Sequence, residues 1–572
     1  MRWTHTPPPD SAVQALRSEL GLDSVLAELL AARLPEPGPA AAFLDPRLKH
    51  LKNPFELSFV SEAVERLLTA LRSGEDVLVI GDYDVDGMTS TALLVSLLRY
   101  FGGDPVYQVP RRLEEGYGLS DNMLDRVLAG NPPDLLVALD CGTNSVAEVA
   151  RLRERGIDVI IVDHHESKEA LPADCLLINP KLYPGPGDEQ ARDLCTAGLV
   201  FKLVHALIMR LRQLDDPRAY DLKLKHWLDL VALGTIADLV PLRGENRILA
   251  REGLRQLVEG RRPGLAALLE VSGLGRDHPL CAADIAFRLG PRLNAGGRLA
   301  DAALPVELLL CDKKSRALAA AAELDALNRE RQSIERGVFD AAVADFDDDH
   351  APDALVAAGT DWHPGVVGIV AGRLARRFYR PAIVLTRDGD LLRGSGRSIP
   401  EVDLQEVLHG CDGLLAEWGG HRMAVGVALP VDRLEEFRAA FTEGVAKFFA
   451  DTPPEPSLKI DTWVKAGDLG ERLLAQLDEL RPYGQENPEP VLGIKRVMLA
   501  RAPEVFAQKH LRFDLKGAHG RRVQGIAWNG ASNPPPAGEP IDLAVRFTWN
   551  VWNGRRTPRL ELVDWAGCTR GH

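Results

Sequence analysis

The sequence predicts an α/β protein built from a parallel-sheet domain, a long connecting helix, a second α/β unit and a small C-terminal β-barrel. Short apolar runs at Val77–Ile80, Leu135–Leu139 and Val159–Val162 alternate with helical stretches. Such runs mark strands buried on both faces of a parallel sheet. Residues 313–346 carry Ala, Leu, Glu and Arg at helical spacing, with neither Gly nor Pro until Gly337. After residue 457, β-like runs such as HLRFDLKG, RRVQGIAWNG and IDLAVRFTWNVWNG are separated by Gly/Asn/Pro turns.

Each element follows in chain order. Residues 1–50 form an N-terminal helical segment, with two helix-like runs and a Pro/Ala-rich break, LPEPGPAAAF. Residues 51–310 form the parallel-sheet domain, because strand–helix–strand order requires right-handed crossovers. Thr89 is expected to cap a helix over Thr89–Phe101, and a mostly helical stretch runs from Gly198 to about residue 275. Residues 311–348 are the connecting helix, closed by the acidic DFDDDHAPD. In 349–452, DALVAAG and PAIVLT read as strands around a helix at Val366–Phe378. DTPPEP at 451–456 is a linker. About five short strands in 457–572 suit an OB-fold.

Composition narrows the class. The 572 residues exclude a single small module. No apolar stretch approaches the ~20 residues that span a bilayer, and the first residues show no apolar signal core, so a cytoplasmic protein without a membrane role is expected. The seven cysteines form no CxxC pair, which argues against a zinc ribbon or a disulfide framework. The net charge of −14 argues, taken whole, against a nucleic-acid partner. The charge is segregated, however. Residues 491–572 hold 13 Lys+Arg against 6 Asp+Glu, while 1–490 hold 55 against 76. In the basic part Phe506, Phe513, Trp528, Phe547, Trp549, Trp552 and Trp565 are interleaved with Arg and Lys, the composition of a single-strand grip. Several of these rings must instead fill the barrel core.

The chemistry concentrates at strand ends. VLVIGDYDVDGMTST puts Asp82, Asp84 and Asp86 at every second position beyond the first apolar run. LLVALD ends on Asp140, and VIIVDHH on Asp163, His164 and His165. Ligands of open α/β sheets bind beyond the carboxyl ends of strands. Singly, these pieces read as a solvated turn, a helix cap and a hydrogen-bonded histidine pair; their recurrence at three strand ends points to a shared site. Crowded carboxylates repel and raise one another's pKa, a cost that divalent cations relieve. Oxygen ligands with one or two imidazoles suit Mn²⁺ or Mg²⁺ better than a thiolate zinc site. Asp238, at the end of the apolar helix in LVALGTIADLVPL, is either a further ligand or a C-terminal turn residue.

These segments carry a resemblance. GDYDVDGMTST, LDCGTN, VDHHES and GTIADLVPL resemble the four ordered motifs of the DHH phosphoesterase superfamily, and WHPGVVGIVAGRL, RGSGRS and WGGHRMAVG its DHHA1 domain. With VPRRLEEGYGLS, GPRLNAGGRL and the OB-like region, nearly the whole chain is similar to the single-strand-specific DNA exonucleases of that superfamily. The resemblance implies metal-dependent 5′→3′ hydrolysis of single-stranded DNA in repair and recombination. It implies two divalent cations, Mn²⁺ or Mg²⁺, with Asp82 and Asp84 on one, Asp86, His164 and Asp238 on the other, and Asp140 bridging. Ile80 stands where some members carry a histidine. Asp140, His164, His165 and Asp86 would be catalytic, with His165 contacting the scissile phosphate and Asp163 orienting the histidines. Two ions ~3.5–4 Å apart can activate water and stabilise both attacking and leaving oxygens.

A strand end must also be held. Arg393, Ser395 and Arg397 of RGSGRS lie in a Gly-rich loop by sequence, where backbone N–H groups and Arg forks can grip a phosphate. The resemblance pairs Ser395 and Arg397 with Arg112 in recognising a 5′ end, and places Arg292, Asn294 and Arg298 on the strand path. His363 and His421 flank Gly-rich turns, with a binding or a structural role. The implied partners are single-stranded DNA, a single-strand-binding protein and a helicase, and the expected state is a monomer. Rival readings are a nano-RNase or cyclic-dinucleotide phosphodiesterase of the same superfamily, and a non-catalytic replication scaffold. The OB-like tail and long helix speak against the first, and the filled ligand positions against the second.

Overall fold

Local sequence dictates where the elements begin. In the computed structural model the described residues are 2–111, 115–116, 118–167, 170–275, 278–299, 302–347, 350–449, 452, 454–552 and 555–568. They divide into two compact units. The larger comprises Thr4–Gly297, Asp301–Asp325 and Lys459–His572; the smaller comprises Met1–Trp3, Arg298–Ala300 and Ala326–Leu458.

The larger unit opens with helices α1 (Asp10–Leu20), α2 (Ser24–Ala31) and α3 (Pro37–Leu44). The Pro/Ala-rich stretch expected as a break is thus largely helical. Pro37 stands at the first position of α3, where no backbone N–H is needed, and alanines follow it.

Next comes an all-parallel sheet of β1 (Val77–Gly81), β2 (Val106–Gln108), β3 (Leu135–Leu139), β4 (Asp158–Val162) and β5 (Leu176–Ile178), in the order β2-β1-β3-β4-β5. The order reverses between β1 and β3, the switch point where open α/β sheets bind ligands. Gly81 pairs with Leu139, Leu139 with Val162 and Val162 with Ile178, so these strands end level. Helix α4 (Val85–Tyr100) leaves β1, and α5 (Thr196–Gln213) and α6 (Leu228–Ala237) pack against it. Thr89 is not the cap of α4. Asp84 caps it by accepting the Asp86 and Gly87 N–H groups at 2.9 and 3.1 Å. Thr89 lies one turn inside, and its hydroxyl donates back to the Val85 carbonyl at 2.8 Å.

The connecting helix is α7 (Lys314–Val343), and the boundary between units falls within it. The smaller unit holds β6 (Leu355–Gly359), α8 (Pro364–Phe378), β7 (Ala382–Asp388), β8 (Leu391–Arg397), β9 (Glu417–His421) and β10 (Ala424–Pro430), with sheet order β9-β10-β8-β7-β6. RGSGRS is therefore not a loop: all but its last residue, Ser398, lies in β8, between β7 and β10. Gly394 and Gly396 serve close packing, since a Cβ on the first would strike the Val384 carbonyl and on the second the Val425 side chain.

Back in the larger unit, β11 (Thr462–Val464), β12 (Leu492–Met498), β13 (Glu504–Phe506), β14 (His510–Lys516), β15 (Arg522–Ala527), β16 (Pro540–Trp552) and β17 (Arg555–Gly567) form one sheet ordered β11-β12-β16-β17-β15-β14-β13. This OB domain has more strands than expected, and β16 and β17 run 13 residues each. Its core is continuous with the N-terminal helices: Leu16, Leu29 and Leu30 cluster with Leu474, Leu492 and Leu543. Buried Arg247 donates to the carbonyls of Phe43, Glu479 and Leu480 at 2.8–2.9 Å, tying three segments together. No helix among the described residues is long and apolar enough to cross a membrane.

Candidate metal centre

The level strand ends put acids on one shelf. Asp82 follows β1, Asp140 follows β3 and Asp163 follows β4. Their backbone N–H groups donate to Leu139, Val162 and Ile178, each on the neighbouring strand, at 3.0–3.1 Å. Asp82, Asp86, Asp140 and Asp163 are each 1% exposed. Asp140 takes the left-handed backbone, φ 65, which Asp tolerates better than most side chains. Asp238 is the C-terminal cap of α6 and turns toward the same shelf. His164 Nε2 lies 3.4 Å from Asp238, 3.5 Å from Asp140 and 3.9 Å from Asp86.

Glycine keeps the shelf open. A Cβ on Gly234 of α6 would meet an Asp86 oxygen at 2.7 Å, and one on Gly87 the Asp82 backbone at 2.5 Å.

Three groups of residues bring one ligand atom each within 4.8 Å of one another: Asp82, Asp84 and Asp140; Asp86, His164 and Asp238; and Asp140, His164 and His165. Burial, then the charge of Asp84, raises Asp82 well above its usual value and lifts Asp86 to about 6. Burial and the neighbouring carboxylates likewise raise Asp140, and they lift Asp238 to about 8. Burial and the neighbouring His165 push His164 down to about 3, leaving the neutral imidazole that ligates metals. Burial would lower His165 too, but its 2.7 Å contact with Asp163 outweighs that and raises it to about 9. Asp163 also accepts the His164 N–H at 2.7 Å and the Thr143 N–H at 3.0 Å.

The residues fit divalent cations. Asp82, Asp84 and Asp140 stand within reach of one another, as do Asp86 and Asp238 around His164. Asp82 Oδ1 and His164 Nε2 are buried without a hydrogen-bond partner, a costly state unless a cation completes them.

Sequence reasoning missed the groups that hold the shelf from behind. Thr196 Oγ1 donates to Asp140 Oδ1 at 2.9 Å, and the N–H groups of Thr196 and Ala197 donate to Asp86 at 2.7 and 2.8 Å. The one sequence sign was a polar Thr opening an apolar helix. Asn179 donates to Thr143 Oγ1 and to the His165 carbonyl at 3.0 and 2.8 Å.

The other expected site residues are dispersed. Arg112 lies outside the described residues. In the larger unit Arg292 pairs with Asp325 at 2.9 Å, and Asn294 keeps a buried Oδ1 without a partner. In the smaller unit Arg298 donates to the Gly365 carbonyl at 2.8 Å. Strand alternation puts Arg393, Ser395 and Arg397 on one face of β8. Gly368 of α8 leaves room for Ser395 and Arg397, whose side-chain atoms would lie 3.3–3.4 Å from a Cβ there. Arg393, on the same face, is held in ion pairs with Asp388 at 3.0 Å and Glu417 at 3.3 Å. His363 caps α8, accepting the Gly365 N–H at 3.0 Å, and His421 ends β9 exposed to solvent.

Of the basic segment's aromatics, Phe513 and Phe547 are core, each 3% exposed. Trp528 is half exposed and stands edge-on to His510, ring centroids 4.9 Å apart, with Phe506 and Arg512 alongside. Only the backbone of Trp552 is described.

Comparison with known proteins matches this layout. The DHH family N-terminal domain matches residues 76–235, the DHHA1 domain 352–447 and the RecJ OB domain 460–564. The single-stranded-DNA-specific exonuclease RecJ of Dickeya dadantii is 39% identical over 531 residues, 88% of this chain and 90% of that protein. The crystal structure of RecJ with Mn²⁺ from Thermus thermophilus aligns with TM-score 0.84 at 30% identity, covering 100% of this chain and 80% of that one. Its Mg²⁺ complex aligns with TM-score 0.76 at 28% identity, covering 100% and 79%. Fold, shelf and relatives agree that the chain belongs to the RecJ family.

Proposed function

We propose that this chain is a metal-dependent exonuclease that degrades single-stranded DNA from the 5′ end. The observation that carries the reading is the buried shelf of carboxylates and neutral His164 at the sheet's switch point. Asp82 and Asp84 would hold one divalent cation and Asp86, His164 and Asp238 a second, with Asp140 shared between them. When bound, Mn²⁺ or Mg²⁺ supplies Lewis acidity, lowers the pKa of water and offsets charge on the phosphate. The chain's own residues do the rest. Asp140 keeps the two ligand groups in register. Asp163 holds His165 protonated, which offers a positive charge to the scissile phosphate. Water then attacks phosphorus in line with the departing oxygen, and no covalent enzyme intermediate is required.

Ser395 and Arg397, with Arg112, are the proposed grip on the 5′ end, and Arg292, Asn294, Arg298, His363 and His421 the proposed strand contacts. Arg298 and His363 also have structural bonds, which supports a positioning role for them over direct contact. The half-exposed Trp528, with Phe506 and Arg512, offers a stacking and cationic surface for unpaired bases. The proposed roles are repair and recombination, in the cytoplasm and as a monomer. A helicase and a single-strand-binding protein are the proposed partners, because one makes and the other protects the substrate.

End-labelled single and blunt double strands, incubated with Mn²⁺, Mg²⁺ or EDTA, test this. The single strand should be consumed with either metal, losing its 5′ label first, while the blunt duplex persists. Degradation in EDTA, or release of the 3′ label first, would contradict the reading.

A further inference from the structure

Asp140 belongs to two of the three ligand groups. Its link to the second proposed cation group runs through His164, whose Nε2 lies 3.5 Å from Asp140 Oδ1; a carboxylate to be shared in this way needs a fixed plane, because torsions onto an sp² carbon are broad and otherwise poorly defined. Its left-handed backbone, φ 65, fixes the direction of the Cα–Cβ bond but not the rotation of the carboxylate. A hydrogen bond from outside the cluster bears on that rotation: Thr196 Oγ1 donates to Asp140 Oδ1 at 2.9 Å.

Several features isolate this contact. Thr196 is fully buried, so solvent does not compete for the acceptor. It is the first residue of α5, with no preceding helical turn whose carbonyl could recapture the hydroxyl. The neighbouring contacts to Asp86 come from the backbone N–H groups of Thr196 and Ala197, which side-chain substitution leaves in place. One helix start therefore holds Asp86 by its backbone and Asp140 by a side chain, and only the second hold can be removed cleanly.

We propose that Thr196 is a positioning residue that sets the carboxylate plane of Asp140, and that it thereby governs cation affinity and turnover rather than strand binding. The proposal rests on the metal-dependent hydrolase reading. Partners that orient metal ligands typically change affinity or activity 10–100-fold when removed.

Thr196→Val removes the hydroxyl at nearly constant shape, Thr196→Ala removes it without any risk of crowding, and Thr196→Ser retains it. Mn²⁺ affinity is measured by calorimetry on the full chain without DNA, followed by kcat and KM on a single strand. Thr196→Val and Thr196→Ala should each weaken Mn²⁺ binding about tenfold or more and lower kcat, with KM within about twofold of wild type. Thr196→Ser should restore both. Three results overturn the proposal: unchanged Mn²⁺ affinity in both hydroxyl-free variants, a Thr196→Ser variant as impaired as Thr196→Val, or a rise in KM at constant kcat. A wild-type protein that binds Mn²⁺ but leaves DNA intact would instead refute the nuclease reading, while the calorimetry still decides the role of Thr196.

Discussion

Asp238 and Asp86 show what burial among like charges does to a carboxylate. Lifted to about 8 and about 6, both stay above the unfolded value near 3.9. A raised folded value means that the protonated form stabilises the metal-free protein at low pH. That contribution is complete below about pH 4 and is lost as pH rises through 6 and then 8. Cations bind the deprotonated form and reverse the trend. In EDTA, melting temperature should therefore fall between about pH 5.5 and pH 8.5, and Mn²⁺ should raise it more at the higher pH. A flat EDTA profile would mean that the shelf is not crowded as described. At this scale the acids were legible because their spacing repeats at three strand ends. Thr196 was not, because a lone Thr in an apolar segment carries no periodicity, and its partner Asp140 is 56 residues away.

Elements were read well where one signal dominated. β3 has the expected bounds because Leu135–Leu139 is apolar throughout and buried on both faces. The start of α4 was misplaced by one turn, since Asp84, expected only as a ligand, is also the cap. RGSGRS looked like a loop because two glycines usually mean one. In β8 those glycines answer a tertiary need, the close approach of β7 and β10, which local sequence does not encode. Alternation along that strand, rather than loop flexibility, is what puts Ser395 beside Arg397.

For the whole molecule, the net charge of −14 averages two unlike parts. The basic OB domain cannot be removed cleanly to test its role, because its core continues into α1–α3 and Arg247 ties it to the rest of the larger unit. Surface substitution is the sound alternative. Arg512 and Lys516 are exposed on β14, and each phosphate contact on a single strand contributes about 0.7 to the slope of log affinity against log salt. The double variant Arg512→Ala/Lys516→Ala should bind more weakly and with a slope shallower by about 1.4. An unchanged slope would place the strand elsewhere.

The central claim is that the shelf performs hydrolysis and that strand binding is separable from it. The direct measurement is the turnover of a single strand by Asp140→Ala in Mn²⁺, alongside its affinity for the same strand. The account predicts no detectable hydrolysis with strand affinity retained. Hydrolysis by Asp140→Ala at the wild-type rate would contradict it.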